Sequence, residues 1–140
     1  MKKFFEKIAY LTLFLAFILV CFLSFWVLYP YKPIEFKNDK FKVNVCEVTR
    51  GSYVTYFVSY CKNSDVTPVV TRTFVDGIIY TMPQDPQPCL KKGCHDVKFF
   101  IYVPKALPEG TYSIKSTYSF KVNPIRKIDI YGETVEFKVI

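Results

Sequence analysis

The sequence predicts an N-terminal transmembrane α-helix followed by an all-β, immunoglobulin-like antiparallel sandwich. Three observations support this fold class. Positions 8–29 carry no charged residue. Beyond position 30, Val, Ile, Thr, Phe and Tyr recur while Ala occurs once, which is a composition typical of strands. Short runs of alternating apolar residues also recur there between turn residues, as they do in sandwiches of two sheets.

The apolar run at 8–29 predicts an uncleaved signal anchor. A helix rises about 1.5 Å per residue, so the run spans about 33 Å, the thickness of a bilayer's hydrocarbon core. The basic head at 1–7 has the charge layout of an export signal, but the run is longer than a signal peptide's core and no small-x-small cleavage site follows it. We expect Trp26, Tyr29 and Tyr31 to act as anchors at the membrane interface.

The orientation of the anchor in the membrane depends on the charged residues on either side of it. Lysines precede the span and also follow it closely, so the positive-inside rule alone does not decide. The short basic head and the cysteines of the outer domain favour a single-pass membrane protein with a cytoplasmic N-terminus and a periplasmic or extracellular C-terminal domain.

After the anchor, Pro30 and Pro33 predict an extended linker at 30–40, and a β-sandwich domain occupies 41–140. Asp76-Gly77 is a strong hairpin signal. The segment 83–93 holds three prolines and is expected to be a loop. The predicted strands are 41–48, 52–61, 67–75, 78–82, 96–103, 111–122, 126–131 and 133–139.

A local motif, Gly110-x-Tyr112, opens the strand at 111–122. It resembles the turn before the late strands of immunoglobulin-like domains, where a tyrosine hydroxyl bonds back to the loop backbone. We therefore assign Tyr112 a structural role.

Four cysteines in the outer domain, Cys46, Cys61, Cys89 and Cys94, predict disulfides, because their number is even and an export signal precedes them. In an immunoglobulin-like arrangement, strand 52–61 pairs antiparallel with strand 96–103, which brings Cys61 beside Cys94. Cys46 and Cys89 then either bond to each other or stay free. The alternative bridge between Cys89 and Cys94 closes a loop of only four residues.

The sequence predicts no catalytic residue, no metal and no cofactor, and we expect the protein not to be an enzyme. Cys89-x4-Cys94-His95 is a partial zinc spacing, but a second close pair is lacking and an exported location favours oxidation. His95 is the one histidine in the chain. The carboxylates are scattered, and the glycines mark turns rather than a phosphate-binding loop.

The net charge of +7 gives information on which kinds of partner the protein could bind. Residues 1–7 carry +2 of it, which leaves +5 beyond position 29. The functional interpretation is attraction to an anionic surface, and the simpler one is a solvated, soluble β domain. No arginine-rich run or aromatic-basic groove motif indicates nucleic-acid binding. We expect the lipid bilayer and an unknown envelope protein or polymer as partners.

Several motifs occur together. They are YPYKP at 29–33, Tyr60-Cys61-Lys62, Gly93-Cys94, the turn from Pro104 to Tyr112, and Val122-Asn123-Pro124. This order of parts resembles small bitopic membrane proteins of unknown function from tailed phages and bacteria with an immunoglobulin-like outer domain. The resemblance spans most of the chain. It implies the fold, the membrane address and Cys61–Cys94 as the main disulfide, and it supplies no activity.

The leading hypothesis is a membrane-anchored, non-enzymatic binding module facing the periplasm or exterior. In a phage setting it would act on the host envelope, for example in superinfection exclusion. The exposed faces of the Tyr/Phe-rich strands and the 83–93 loop are the expected contact surfaces. The alternative is a structural subunit of an envelope or virion assembly that packs through its apolar helix.

Overall fold

One long helix, α1 (Lys2–Leu28), begins the chain, and its side chains are exposed wherever they are described. The structure is a computed structural model that describes residues 2–76, 78–81 and 90–140. Thr12 donates its hydroxyl hydrogen bond to the carbonyl of Ile8 at 2.9 Å, so this polar group is satisfied within the helix. The helix is long and apolar enough to cross a membrane, a property that membrane spans and export signal sequences share.

The chain forms two compact units, residues 1–31 and 32–140. The second unit is a β domain with ten strands among its described residues. They are β1 (Ile34–Phe36), β2 (Lys40–Val43), β3 (Glu47–Val48), β4 (Tyr53–Lys62), β5 (Val69–Asp76), β6 (Ile78–Thr81), β7 (Gly93–Tyr102), β8 (Gly110–Asn123), β9 (Arg126–Thr134) and β10 (Phe137–Val139).

Two long strands organise the pairing. β4 pairs antiparallel with β7 on one edge and with β1 and β2 on the other. β8 pairs antiparallel with β5 on one edge and with β9 and β10 on the other, and β5 also pairs with β6. β2 joins the two groups, because it pairs with β4 through Lys42 and with β9 through Phe41. An apolar helix followed by a strand-rich domain is therefore confirmed.

The expectation of a purely antiparallel domain is wrong. β2 pairs parallel with β9, and β10 pairs parallel with β3. Both parallel pairs join strands far apart in sequence, for example Lys40 beside Glu133 and Val48 beside Val139. Parallel neighbours cannot be linked by a tight turn, so no local sequence signal announces them.

The domain boundary also differs from the expected one. β1 lies inside the segment 30–40 that the prolines assigned to a linker, because Ile34 is buried and pairs with Lys62. The expected strand 41–48 is divided into β2 and β3, and 133–139 into the end of β9 and β10. Of the expected loop at 83–93, residues 83–89 lie outside the described residues, 90–92 are irregular, and Gly93 already belongs to β7.

The hydrophobic core lies between the two groups of strands as a larger and a smaller cluster of buried residues, with Phe36 and Tyr60 packed against both. The larger cluster draws Val54, Tyr56 and Val58 from β4 and Phe74, Ile114 and Phe137 from the other group. Period-2 alternation explains this, since every second residue of β4 and β8 points to the same side. Tyr56 also accepts a hydrogen bond from Nε of the buried Arg72 at 2.9 Å, and the Arg72 guanidinium lies 4.9 Å from the centre of the Phe99 ring.

The strand register defines two ends of the β domain. We call the end at which the chain enters β1 the tethered end and the opposite end the distal end. At the tethered end, the amide of Asn63 donates to the carbonyl of Pro33 at 2.9 Å, and Lys62 lies opposite both Ile34 and Gly93. β5 begins here after a short connection from β4, and because Val69 lies opposite Ser119, the β8–β9 turn is at this end as well. Tyr53, Tyr102 and Gly110 lie at the distal end.

Candidate functional site

A disulfide is present, and it joins Cys61 to Cys94. The two residues lie directly opposite each other in the β4–β7 ladder. Cys61 lies on the side of β4 that carries Phe57, away from the core, and Cys94 is exposed. The bridge therefore fastens the outer side of the β4–β7 pair near the tethered end.

The remaining predicted disulfide residues are not paired where they are described. Cys46 is an exposed free cysteine, and Cys89 lies outside the described residues. Cys94 cannot supply the thiolate of the alternative zinc site, because it is oxidised to the disulfide. His95 Nε2 instead forms a hydrogen bond with the carbonyl of Lys91 at 2.8 Å. No group of three His, Cys, Asp or Glu residues that could hold a metal ion occurs among the described residues.

Tyr112 is buried, and its hydroxyl donates to the carbonyl of Pro108 at 3.0 Å. The bond ties the start of β8 to the loop before it, in the geometry that the Gly110-x-Tyr112 motif describes. The role of this tyrosine is structural, because its ring packs edge-on against Phe74 in the core.

The predicted interface anchors lie at the end of α1 and just beyond it. The Trp26 ring packs on Phe22 with centres 5.3 Å apart, and the Tyr29 ring packs on Phe25 with centres 5.1 Å apart. Tyr31 is partly exposed. Their function at a lipid interface stays a prediction.

The outer side of β4 and β7 carries a continuous aromatic surface. We call Tyr53, Phe57, Phe100 and Tyr102, together with Lys98, the aromatic face. Tyr53 is 64% exposed and Phe100 62%, and Phe57 and Tyr102 are each 43% exposed. Contiguous exposed apolar surface of this kind marks interaction sites in soluble domains, whereas single exposed apolar residues are normal.

The members of the aromatic face contact one another across the two strands. Tyr53 lies opposite Tyr102, with ring centres 5.5 Å apart. Lys98 lies opposite Phe57, and its Nζ is 5.7 Å from the centre of that ring and 5.0 Å from the centre of the Phe100 ring. A cation held between two rings keeps the aromatic side chains in place, at about 0.5–1 kcal/mol for an exposed pair.

The outer side of β5, β8 and β9 has different chemistry. We call it the hydroxyl face, because hydroxyl side chains dominate its rows, interspersed with charged residues. The hydroxyl residues are Thr71, Thr73, Thr111, Ser113, Thr117 and Ser119. Among the described residues, one exposed aromatic side chain, that of Tyr131, lies there, opposite Thr117. A shallow depression of about 540 Å³ beside it is bounded by charges of both signs, including Asp39 and Lys115.

A second cleft, of about 480 Å³, lies on the hydroxyl face at the tethered end. Its lining residues are Thr67, Val69, Thr71, Ser119, Lys121, Asn123, Pro124, Ile125, Arg126 and Lys127. Three of them, Lys121, Arg126 and Lys127, are cations within seven residues of sequence. The net charge of the chain does not reveal this local concentration of positive charge. The β8–β9 pairing concentrates it, since Lys121 lies directly opposite Lys127.

Inside the domain, the hydroxyls of Ser116 and Tyr118 on β8 are buried, and neither forms a hydrogen bond of good geometry. Burial raises the pKa of Tyr118, and the neighbouring Tyr56 raises it further, while the positive charge of Arg72 opposes the shift. The Ser116 hydroxyl is near enough to lower the pKa of Tyr118 slightly as well. Burial also raises the pKa of Tyr60. Tyr118 borders a small cavity of about 20 Å³, the space that a single water occupies.

No family model and no curated protein matches this chain. Several solved structures are similar to it, and these include the following two. A Niemann-Pick type C2 protein from Japanese carpenter ant is 17% identical, with 76% of this chain and 98% of that chain covered and a TM-score of 0.48. The alkylpurine DNA glycosylase AlkC from Pseudomonas fluorescens, bound to DNA containing an abasic site analog, is 7% identical, with a TM-score of 0.45.

The match to the glycosylase covers 84% of this chain but 33% of that protein, so the chain spans about a third of its length. Both TM-scores lie below 0.5. Neither likeness therefore defines the function of this chain.

Proposed function

We propose that this chain is a membrane-anchored, non-enzymatic binding module whose immunoglobulin-like β domain contacts an envelope protein or polymer through the aromatic face. The observation that carries the proposal is the exposure of four aromatic side chains side by side on β4 and β7. Because each of these rings is 43–64% exposed, it forgoes part of the free energy that full burial of a large apolar side chain supplies, which is about 1.5–3 kcal/mol.

The composition of the aromatic face suits recognition. Tyrosine is enriched in the energetic centres of interfaces, because it contributes large area at low cost in side-chain entropy. Lys98 adds one positive charge at the middle of the surface, between Phe57 and Phe100. A partner with an apolar patch and a nearby carboxylate would match it.

The position of β7 adds a second means of contact. In the part of the chain that the structure describes, β7 pairs with β4 alone. An edge strand of ten residues offers backbone donors and acceptors to an added strand, and the side chains of that strand would lie beside Phe100 and Tyr102. A protein partner is therefore favoured over a polymer without a peptide backbone.

The anchor and the compartment belong to the same proposal. α1 has the length and apolar composition of a membrane span. The Cys61–Cys94 disulfide supports an oxidising compartment, hence a domain in the periplasm or exterior. The resemblance to phage and bacterial bitopic proteins makes the host envelope the setting in which we would search for a partner.

The test is site-specific photo-crosslinking of the full chain in the membranes of producing cells. A photoreactive phenylalanine analogue replaces Phe100 in one protein and Tyr131 in a matched control, because Tyr131 is also an exposed aromatic residue in a strand, 71% exposed on the hydroxyl face. We expect a defined adduct with another envelope protein from position 100 and none from position 131.

A second variant checks specificity. Phe57→Thr combined with Tyr102→Thr should abolish the adduct from position 100, while Tyr131→Thr should leave it unchanged. Equal adducts from positions 100 and 131 would contradict the proposal. An adduct that contains a second copy of this chain would favour the alternative, a structural subunit.

A further inference from the structure

The tethered end of the β domain is basic. Its described cations are Lys32, Lys62, Lys91, Lys92, Lys121, Arg126 and Lys127, and its described carboxylates are Glu35, Asp65 and Asp129. Two of these carboxylates are already engaged. Asp65 lies 3.2 Å from Lys92, and Asp129 accepts a hydrogen bond from Ser119 at 2.6 Å.

Two lysines of the tethered end lie in an electrostatically unfavourable arrangement. Lys121 and Lys127 are directly opposite in the β8–β9 ladder, and like charges in this position destabilise a sheet. Asp129 relieves the repulsion only in part, since its carboxylate is 3.8 Å from the Lys127 ammonium. Both lysines border the cleft of about 480 Å³, so an anion in this cleft would offset the repulsion.

The turn between β8 and β9 ends in an apolar side chain. Ile125 is 61% exposed, and its amide donates to Asn123 Oδ1 at 3.1 Å, which braces the turn. Arg126 and Lys127 follow it directly. An exposed apolar residue next to a group of cations is typical of segments that enter the headgroup region of anionic bilayers.

Chain connectivity brings this turn within reach of a membrane. Five residues, 29–33, separate the end of α1 from β1. A fully extended chain covers at most about 3.6 Å per residue, so this connection spans about 18 Å or less. The tethered end, including the β8–β9 turn, would thus stay close to any bilayer that holds α1.

We propose that the tethered end docks on anionic phospholipid headgroups, with a lipid phosphate in the cleft between Lys121 and Lys127 and the Ile125 side chain in the interfacial layer. The proposal rests on the membrane anchoring of α1 and is independent of the aromatic face. Docking would fix the orientation of the β domain above the membrane and direct the distal end, with Tyr53 and Tyr102, away from it.

The experiment uses the full chain in lipid nanodiscs, with an environment-sensitive fluorophore on Ile125→Cys. The other reactive thiols are removed by Cys21→Ser, Cys46→Ser and Cys89→Ser. A second protein carries the label on Ala106→Cys, an exposed position at the distal end. Discs contain phosphatidylcholine alone or with phosphatidylglycerol, and a spin-labelled lipid serves as the quencher. Recovery of the chain in the disc fraction measures anchoring separately.

We expect blue-shifted, quenched emission from position 125 in discs with phosphatidylglycerol only, with a loss of both effects at high salt. Position 106 should respond in neither lipid. Combining Lys121→Gln, Arg126→Gln and Lys127→Gln should lower the ratio of docked to undocked protein by more than 100-fold, at about fivefold per cation. The matched variant Lys105→Gln, Lys115→Gln and Lys138→Gln removes the same charge elsewhere and should retain docking.

Three results would overturn the proposal although the chain is anchored in the discs. The first is a label at 125 that stays solvent-exposed in phosphatidylglycerol, and the second is equal quenching in both lipids. The third is a stronger response of this label to a DNA duplex than to phosphatidylglycerol, which would make the basic end a nucleic-acid site.

Discussion

The aromatic face and the hydroxyl face have the same backbone geometry and different side chains. Both lie outside long antiparallel strands whose inner residues fill the hydrophobic core. β8, the longest of the described strands, pairs with β5 from Ser113 to Ser119 and with β9 from Lys115, and it carries hydroxyl and lysine side chains on the outside. Strand formation in this domain therefore does not require large outward aromatics. Those on β4 and β7 are the residues on which the proposed contact with a partner depends.

The first prediction concerns the bridge on the outer side of β4 and β7. Combining Cys61→Ser with Cys94→Ser should lower the free energy of unfolding by about 3–4 kcal/mol, since the bridge closes a loop between residues 33 apart. Urea denaturation measures the loss. Cys46→Ser should have almost no effect, because Cys46 is free and exposed. If the double change lowers the free energy of unfolding no more than Cys46→Ser does, the bridge contributes little to stability.

The second prediction concerns the inner side of β9, beneath the hydroxyl face, where β9 meets β2. Gly132→Ala should destabilise the domain by about 2–3 kcal/mol, because a Cβ at this position would overlap the ring of Phe41. The shift of the urea midpoint measures it. Combining Gly132→Ala with Phe41→Leu should lose less stability than the two single changes summed, since a smaller side chain makes room. Strict additivity would contradict the proposed overlap.

The third prediction uses the buried hydroxyl of β8. The folded pKa of Tyr118 is raised above its ordinary value of 10.0. Above about pH 10 the unfolded state therefore binds fewer protons than the folded state, and stability falls as pH rises. This residue accounts for up to about 1.4 kcal/mol per pH unit. Tyr118→Phe should reduce the alkaline slope of unfolding free energy, and an unchanged slope would show that Tyr118 ionises normally.

The fourth prediction compares two buried tyrosines of the same strand. Tyr112→Phe should cost about 1 kcal/mol at neutral pH, because it removes the hydrogen bond to Pro108. Tyr118→Phe should cost less, since its hydroxyl forms no hydrogen bond of good geometry and has only the Ser116 hydroxyl nearby. Thermal unfolding of the two variants in one buffer is sufficient. Equal losses would contradict the assigned hydrogen bonding.

The fifth prediction has the smallest expected effect on stability and bears most directly on the aromatic face. Phe57→Thr and Phe100→Thr give this surface the chemistry of the hydroxyl face while keeping β-branched strand formers. Each should lower the unfolding free energy by about 0.5–1 kcal/mol, the value of the lost contact between the ring and the Lys98 ammonium. A loss above about 2 kcal/mol in urea denaturation would mean that these rings serve the fold.

The features that depend on local pattern could be predicted from the sequence. The uncharged run at 8–29 predicts the apolar helix, and period-2 alternation predicts β4, β5, β7 and β8. The motif around Tyr112 has a local cause as well, since its hydroxyl reaches a carbonyl only four residues away.

The parallel pairs, the unpaired edge of β7 and the basic tethered end could not be predicted from the sequence, because they depend on which distant strands become neighbours. The parallel pairs of β2 with β9 and of β3 with β10 have no turn sequence to announce them. The unpaired edge of β7 can be identified only when its pairing with β4 along the other edge is known. The basic tethered end also depends on pairing. Lys121 lies opposite Lys127 at the end of the domain where the Asn63 side chain donates to the carbonyl of Lys32.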